Sequence, residues 1–224
     1  MRVAPSLKGV LRVAYARFEG LGGQAEGLPG LWSERRERLA EAFEREDAAL
    51  RAALRRNRRL YGALGLDPSR DRPEPERLLR LAVRGRIGVP ERPAPGTGSS
   101  FLDFVLLAAL SGQCILEAYD LDRVAPPVLA RLGKASRPED EPARGSFGRL
   151  VLADRKGVFG AVGRRLGRAR LGPGSKRALV VAWLSPDHPR AELDRAFRDL
   201  AALAAGGLGA RASSEVLPEG VVSA

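Results

Sequence analysis

The stretch FLDFVLLAAL, residues 101–110, carries one charged residue in ten and constrains the fold more than any other part of the chain. Ser100 and Asp103, at its start, have the spacing of a helix-capping box, which predicts a helix. A helix that is apolar on every side must be enclosed by other elements. Its longest apolar run, residues 104–110, is far too short to cross a bilayer.

The elements predicted around this helix appear in the order helices, strands, helix. The periodicity of apolar residues predicts further helices at 32–64, 74–84 and 190–203. It predicts strands at 11–21, 113–119, 128–132, 149–154, 158–162 and 177–185, with a hairpin turn at 154–157. This order favours an α+β fold over a regular parallel sheet.

A chain of 224 residues is long enough for one large domain, and we expect a single domain over 1–224. Its predicted parts are a helical N-terminal part (1–90), a Pro/Gly-rich linker (90–98), a β-rich core (99–205) and a C-terminal extension (206–224).

The residue types exclude several kinds of site. One cysteine and one histidine allow neither an internal disulfide nor a Cys/His zinc site, so no metal is expected. His188 lies in SPDHPR, which indicates an ordinary loop histidine rather than a general base. The glycine-rich GLGGQA and GPGSKR lack the sequence context of nucleotide-binding loops, and no cofactor is expected. Charged residues interrupt the apolar residues among the first sixteen positions, which is not typical of a signal peptide. We therefore expect a cytoplasmic protein without a membrane partner.

The formal net charge of +11 predicts a polyanionic partner, because a basic surface releases counterions from nucleic acid on binding. Only four of the 38 cationic residues are lysines. Arginine suits phosphate recognition, although a GC-rich genome would also favour it. The densest basic loop offers six candidate RNA-binding residues: Arg164, Arg165, Arg168, Arg170, Lys176 and Arg177. A solvated loop without a ligand remains the alternative, and the arginines at 51–59 are interpreted as a solvated helix face.

Asp120 and Asp122 follow a predicted strand and raise the question of a metal site or a catalytic pair. Carboxylates at i and i+2 of a strand point to opposite sides, and Arg123 follows at once. A turn or helix cap at the strand end is the better interpretation.

Four stretches in a fixed order resemble a known family. They are YGALGLDPSRDRPEPERLLRLAVRG, the apolar helix with Asp103, EAYDLDRV and GRLVLADRKGV. Over roughly residues 10 to 205 they are similar to the tRNA-binding, editing module of the bacterial phenylalanyl-tRNA synthetase β subunit (its domains three and four), and most to its freestanding relatives. The resemblance implies helices around a barrel-like mixed β-sheet, and a partner that is tRNA or aminoacyl-tRNA. It implies hydrolysis of a mischarged ester by water, without metal or protein nucleophile.

The chain departs from the family at the implied pocket. Val105 and Leu106 stand where the synthetase has Thr-Asn, and Glu117 stands where it has histidine and the freestanding relatives have glycine. The candidate catalytic residue is therefore Glu117, which would orient water or hold an amino group. Candidate pocket residues are Ser99, Ser100, Asp103 and Tyr119. The alternative is a catalytically inactive descendant that binds RNA or protein. The amino acid, the tRNA and the oligomeric state stay open.

Overall fold

The computed structural model describes residues 1–22, 28–83, 98–133, 149–162, 168–172 and 174–216. The helices are α1 (Leu28–Glu44), α2 (Ala48–Ala63), α3 (Glu74–Val83), α4 (Gly98–Gly112) and α5 (Arg190–Leu208). The strands are β1 (Arg2–Val3), β2 (Arg12–Glu19), β3 (Ile115–Asp120), β4 (Leu129–Leu132), β5 (Leu150–Asp154), β6 (Gly157–Ala161), β7 (Arg177–Leu184) and β8 (Arg211–Val216). The fold is α+β, as the order of elements predicted.

The strands form two separate four-stranded sheets. The central sheet has the antiparallel order β3-β7-β2-β8, and the outer sheet has the order β1-β4-β5-β6, in which β1 pairs with β4 in parallel. Neither sheet is closed, because in the described part of the chain each edge strand pairs with one neighbour only. The single barrel-like sheet that the family resemblance implied is therefore not what these strands form.

The central sheet separates two hydrophobic cores, because successive side chains of a strand point to opposite faces. The helix-side core packs one face against α4 and α5, with Trp32 of α1 and Leu79 of α3. The inter-sheet core lies between the other face and the outer sheet and includes Tyr61 at the end of α2. Strand β7 divides strictly: Ala178, Val180, Ala182 and Leu184 enter the first core, and Leu179, Val181 and Trp183 enter the second.

Helix α4 is buried as its composition predicted. Its Phe101, Phe104 and Ala108 are at most 1% exposed in the helix-side core. It packs closely on α5: a Cβ at Gly112 would lie 2.5 Å from the Cβ of Ala196, and one at Gly207 would lie 2.4 Å from the ring of Phe104. Because glycine has no Cβ, these two positions allow α4 and α5 to approach each other closely.

The helix predicted over 32–64 is two helices, and the prediction of one is wrong. The chain turns at Glu46, whose φ is +58°, and Asp47 then caps α2 by accepting a hydrogen bond from the Leu50 amide (2.8 Å). A residue in the left-handed region cannot continue an α-helix. The side-chain cap satisfies an amide that the new helix leaves without a partner.

Two further elements lie where none was predicted. The short β1 pairs with β4, and β8 pairs along β2 from Ala14–Val216 to Glu19–Arg211. β8 falls inside the predicted C-terminal extension (206–224). Gly209, with φ +66°, ends α5 and turns the chain towards this strand.

Residues 84–97, which hold nearly all of the predicted 90–98 linker, lie outside the described residues, and Gly98 begins α4. Within the described ranges, no helix is long and apolar enough to cross a membrane.

Candidate functional site

Basic residues gather where β3 ends. We define the basic end as residues 120–126, 154–157, 168–172 and 174–177, which the following contacts join. Asp120 ends β3 and caps the short 3-10 turn of residues 121–123: its Oδ1 accepts from the Asp122 amide (3.0 Å). Its Oδ2 accepts from the Ser175 hydroxyl (2.7 Å), and its amide donates to the Ala169 carbonyl (2.8 Å). Asp120 is therefore structural, as the turn interpretation predicted.

Asp154 joins three segments of the basic end. Its side chain is fully buried and closes the predicted hairpin turn by accepting from the Lys156 amide at 2.8 Å. It also accepts from the Ala125 amide at 2.7 Å and from Nη2 of Arg168 at 2.7 Å. These hydrogen bonds and the pair with Arg168 order the three segments around the buried carboxylate.

Arg168 is held by the fold. Besides its pair with Asp154, its guanidinium donates to the carbonyls of Arg123 (3.1 Å) and Gly157 (3.0 Å). It also lies 5.4 Å from the centre of the Phe159 ring, a cation–π distance. These contacts engage the guanidinium that the sequence offered for RNA.

Arg155 of the basic end donates from Nε to the Pro126 carbonyl, and the remaining cations divide into two groups. Arg177 donates to Asp122 (Nε–Oδ1 2.7 Å), and Arg123 lies 3.4 Å from Asp120. Lys156, Arg170 and Lys176 are exposed, and no described residue forms an ion pair with them. All three aspartates of this end have partners within it, so the exposed lysines and Arg170 leave a positive surface. Arg164 and Arg165, the first two of the six candidates, lie outside the described residues.

Glu117 lies in the middle of β3, half-buried, and its side chain is on the inter-sheet face. Its Oε2 accepts hydrogen bonds from the hydroxyl of Tyr119 (2.5 Å) and from Nε1 of Trp183 (3.1 Å). Tyr119 and Trp183 both belong to the inter-sheet core. Two aromatic donors therefore fix the orientation of this carboxylate, which sequence reasoning singled out without finding its partners.

Tyr119 is a neutral donor to Glu117. Burial, then the charge of Glu117 and the hydrogen bond to it, raise the pKa of the Tyr119 phenol well above its ordinary value. Its ring packs edge-on against Phe159, with 5.2 Å between the ring centres. Burial and then the Glu117 charge also raise the pKa of Tyr61. A carboxylate among neutral hydroxyls and an indole is suited to accept a proton from water or to hold an ammonium group.

The remaining pocket candidates lie on helix α4. Ser99 and Ser100 are in its first turn, and Asp103 is buried one turn later. The apolar side chains of α4, Val105 among them, pack in the helix-side core, on the face of the central sheet opposite Glu117. The structure thus brings Tyr119 to Glu117 and places the helix that carries Ser99, Ser100 and Asp103 on the other side of the sheet.

A cavity of about 180 Å³ lies elsewhere, between α1, α2, α5 and the end of α4. Its lining includes Leu50, Ala53, Gln113, Glu192 and Arg195, and none of the residues singled out by the sequence. Among the described residues, no group of three His, Cys, Asp or Glu side chains is placed to hold a metal ion. The Cys114 thiol is buried, which raises its pKa to about 12.

Comparison with known proteins reveals a distant structural similarity. No family model matches the chain, and no curated protein matches its sequence. The structure is similar to that of an N-terminal fragment of the phenylalanyl-tRNA synthetase β subunit from Pyrococcus horikoshii, with 12% sequence identity and a TM-score of 0.42. The similarity covers 97% of this chain and 53% of that fragment, so the chain spans about half of its length.

Proposed function

We propose that this protein binds RNA through the basic end, and that the RNA is a tRNA. The observation that carries the RNA part is the set of exposed cations, Lys156, Arg170 and Lys176, beside aspartates that are already paired. The choice of tRNA comes from the sequence resemblance alone.

The physical basis of the proposal is electrostatic. Phosphates that contact these cations release condensed counterions, so the logarithm of the binding constant falls linearly with the logarithm of salt concentration. Asp154 and Arg168 hold the three segments together, so little ordering is needed on binding. Reduced ordering lowers the cost of association.

The test compares tRNA binding across a salt series for two variants of equal charge. One neutralises the basic end (Lys156→Gln, Arg170→Gln, Lys176→Gln). The control neutralises three exposed arginines of α2 and α5 (Arg55→Gln, Arg195→Gln, Arg198→Gln). We expect the first to bind at least about tenfold more weakly and its salt slope to flatten by about one per lost phosphate contact. Equal losses in both variants would count against a localised interface. Arg168 is left intact, because its replacement would leave Asp154 buried and unpaired.

A second candidate activity is hydrolysis of an ester bond in a mischarged aminoacyl-tRNA. The observation that favours it is the oriented Glu117 carboxylate, held by Tyr119 and Trp183. As general base, Glu117 would take a proton from water while the water oxygen attacks the ester carbonyl. The ester C–O bond would then break, and the proton would pass to the ribose oxygen. No cofactor enters this chemistry.

The experiment is release of amino acid from a panel of mischarged tRNAs by wild type and Glu117→Gln. Glutamine keeps the shape of the side chain and removes its basicity, so we expect loss of at least about a hundredfold in rate with tRNA binding retained. Equal rates in the two proteins would refute the role of Glu117. Absence of hydrolysis across the whole panel would favour the inactive descendant, an RNA-binding or protein-interaction module.

A further inference from the structure

Three arginines from α2 and the α3 region converge on one buried carboxylate, which belongs neither to the basic end nor to the surroundings of Glu117. The carboxylate is Glu76, of which 2% of the side chain is exposed. Arg58 binds it with two hydrogen bonds, Nε–Oε2 at 2.7 Å and Nη2–Oε1 at 2.6 Å. Arg80 donates from Nε to Oε1 at 3.0 Å, and Nε of Arg72 lies 3.8 Å from the same oxygen.

The cluster carries more positive charge than its carboxylate requires. A bidentate arginine is the usual partner of a carboxylate and is sufficient to neutralise it. Arg72 and Arg80 add two further charges, although like charges so close together repel. In the described part of the chain, the neighbouring carboxylates do not offset them: Glu74 pairs with Arg77 (2.8 Å), and Asp71 pairs with Arg149 (2.6 Å).

Glu76 is charged at neutral pH, so the excess is real. Burial alone would raise the pKa of Glu76, but the hydrogen bonds from Arg58 and Arg80 hold the pKa below its ordinary value. At neutral pH the ionised carboxylate fixes the directions of the guanidinium groups that donate to it.

The donors that remain face solvent. The side chains of Arg58, Arg72 and Arg80 are 44%, 43% and 38% exposed. Arg72 and Arg80 approach Glu76 through Nε, and among the described residues their Nη atoms have no hydrogen-bond partner. A guanidinium carries five N–H donors in a rigid plane, an arrangement that matches the oxygens of phosphate.

We infer that the Arg58/Arg72/Arg80 cluster is an anion site that accepts a phosphate group, with Glu76 as the buried anchor that orders the three guanidinium groups. The phosphate belongs either to the backbone of RNA or to a free phosphate compound. The site does not include any residue of the basic end, and the inference does not rest on the function proposed above.

The test follows the Nε–Hε signals of individual arginines by NMR at constant ionic strength, with inorganic phosphate as one probe and a twelve-residue oligouridylate as the other. We expect saturable shifts at Arg58, Arg72 and Arg80. Arg72→Gln/Arg80→Gln keeps the bidentate Arg58–Glu76 pair and should weaken binding about fivefold or more. The control Arg195→Gln/Arg198→Gln removes equal charge from α5 and should leave the affinity unchanged.

A charge-conserving variant separates geometry from charge. Arg72→Lys/Arg80→Lys keeps both cations without the planar fork, so we expect an intermediate loss of about twofold. Circular dichroism of each variant checks that the fold is kept. Shifts with both probes support a site open to free phosphate, and shifts with the oligonucleotide alone support RNA backbone.

The inference is overturned if neither probe shifts these signals more than those of Arg195 and Arg198. It is also overturned if Arg72→Gln/Arg80→Gln binds both probes as tightly as wild type. The Lys156/Arg170/Lys176 variant should leave inorganic phosphate binding at this cluster intact. Failure of the basic end as an RNA interface would therefore be distinct from failure of this site.

Discussion

Gly160 of β6 lies directly against Tyr119, the donor to Glu117. A Cβ at this position would lie 2.4 Å from the Tyr119 hydroxyl oxygen and 2.5 Å from Cζ. We predict that Gly160→Ala lowers the free energy of unfolding by about 1–3 kcal/mol, because the buried ring must leave its position. Chemical denaturation measures the change. Gly62→Ala is the control: its Cβ meets no atom within 4 Å, and it lies in α2, so stability should not fall.

The cause of that loss is tested by a second substitution. Tyr119→Leu removes the phenol with which the new methyl group collides. If the collision is responsible, Gly160→Ala should cost less in the Tyr119→Leu background than in wild type. Strictly additive effects of the two substitutions would contradict the steric explanation.

His188 is buried, although the sequence indicated an ordinary loop histidine. Burial, and then the charges of Arg56 and Arg12, lower its pKa to about 4, while Asp187 acts weakly in the opposite sense. In the unfolded chain His188 has a pKa near 6.5. Between pH 6.5 and 4, His188 is therefore protonated in the unfolded chain and neutral in the folded protein. We therefore predict that His188 contributes a loss of about 2 kcal/mol in stability between pH 7 and pH 5.

The measurement is the free energy of unfolding at pH 7 and pH 5 in wild type and His188→Gln. Glutamine does not titrate, whereas all carboxylates are common to both proteins, so the difference isolates the histidine. The variant should lose less stability on acidification. An identical pH dependence in the two proteins would refute the assignment.

For single residues, the sequence indicated which side chains could take part in binding or catalysis, and the structure showed which residues they contact. Asp120 could be interpreted from its place after a strand, because a turn is local. The hydrogen-bond partners of Glu117 could not be predicted in this way. Trp183 is 66 residues away in sequence, and the pairing of β3 with β7 brings it to Glu117. The lowered pKa of His188 depends in the same way on the charges of Arg56 and Arg12, which come from distant elements.

Asp47 is the N-terminal cap of α2, which begins there as a helix separate from α1. Its side chain accepts from the Leu50 amide, and the preceding residue is in the left-handed region. We predict that Asp47→Ala lowers stability by about 1 kcal/mol, whereas Asp47→Asn, which keeps a capping oxygen, changes it by less than half as much. Thermal unfolding by circular dichroism distinguishes the two. Equal losses of stability in the two variants would mean that the side-chain cap does not stabilise the start of α2.

Element prediction failed where local pattern and tertiary context disagree. Leu39, Phe43, Leu50 and Leu54 keep helical spacing across the α1–α2 break, and no glycine or proline marks it. The aspartate cap was the available signal. β8, with the sequence RASSEV, lacks the apolar alternation of a buried strand and is ordered by backbone pairing with β2. The strands β2 and β7, which are rich in apolar residues, were predicted within a few residues.

For the molecule as a whole, we predict one cooperative unfolding transition, because the central sheet belongs to both cores. Each core holds one tryptophan: Trp32 lies in the helix-side core and Trp183 in the inter-sheet core. In Trp32→Phe and Trp183→Phe, the remaining tryptophan reports on one core. The fluorescence midpoint of each variant should coincide with its own circular dichroism midpoint. Separate midpoints would indicate two units and refute the single domain expected from the sequence.

The general architecture followed from the sequence, and the sheet arrangement did not. Order and periodicity of elements sufficed for an α+β fold with a buried α4. The division into two sheets depends on which strand edges meet, and pairs such as β2 with β7 join residues more than 150 positions apart. No local pattern records such a pairing, and the family resemblance implied a barrel-like closure instead.

The two faces of β7 limit how the sequence of this strand can change in evolution. Alanine and valine fill most positions towards the closely packed helices, whereas the other face ends in Trp183 beneath Glu117. Neighbouring residues of one strand are thus subject to opposite volume limits. Substitutions accepted in descendants should follow two separate rules along β7, with small residues at 178 and 182 and large residues at 179 and 183. An insertion of a single residue would exchange the two sets and should be absent from any surviving lineage.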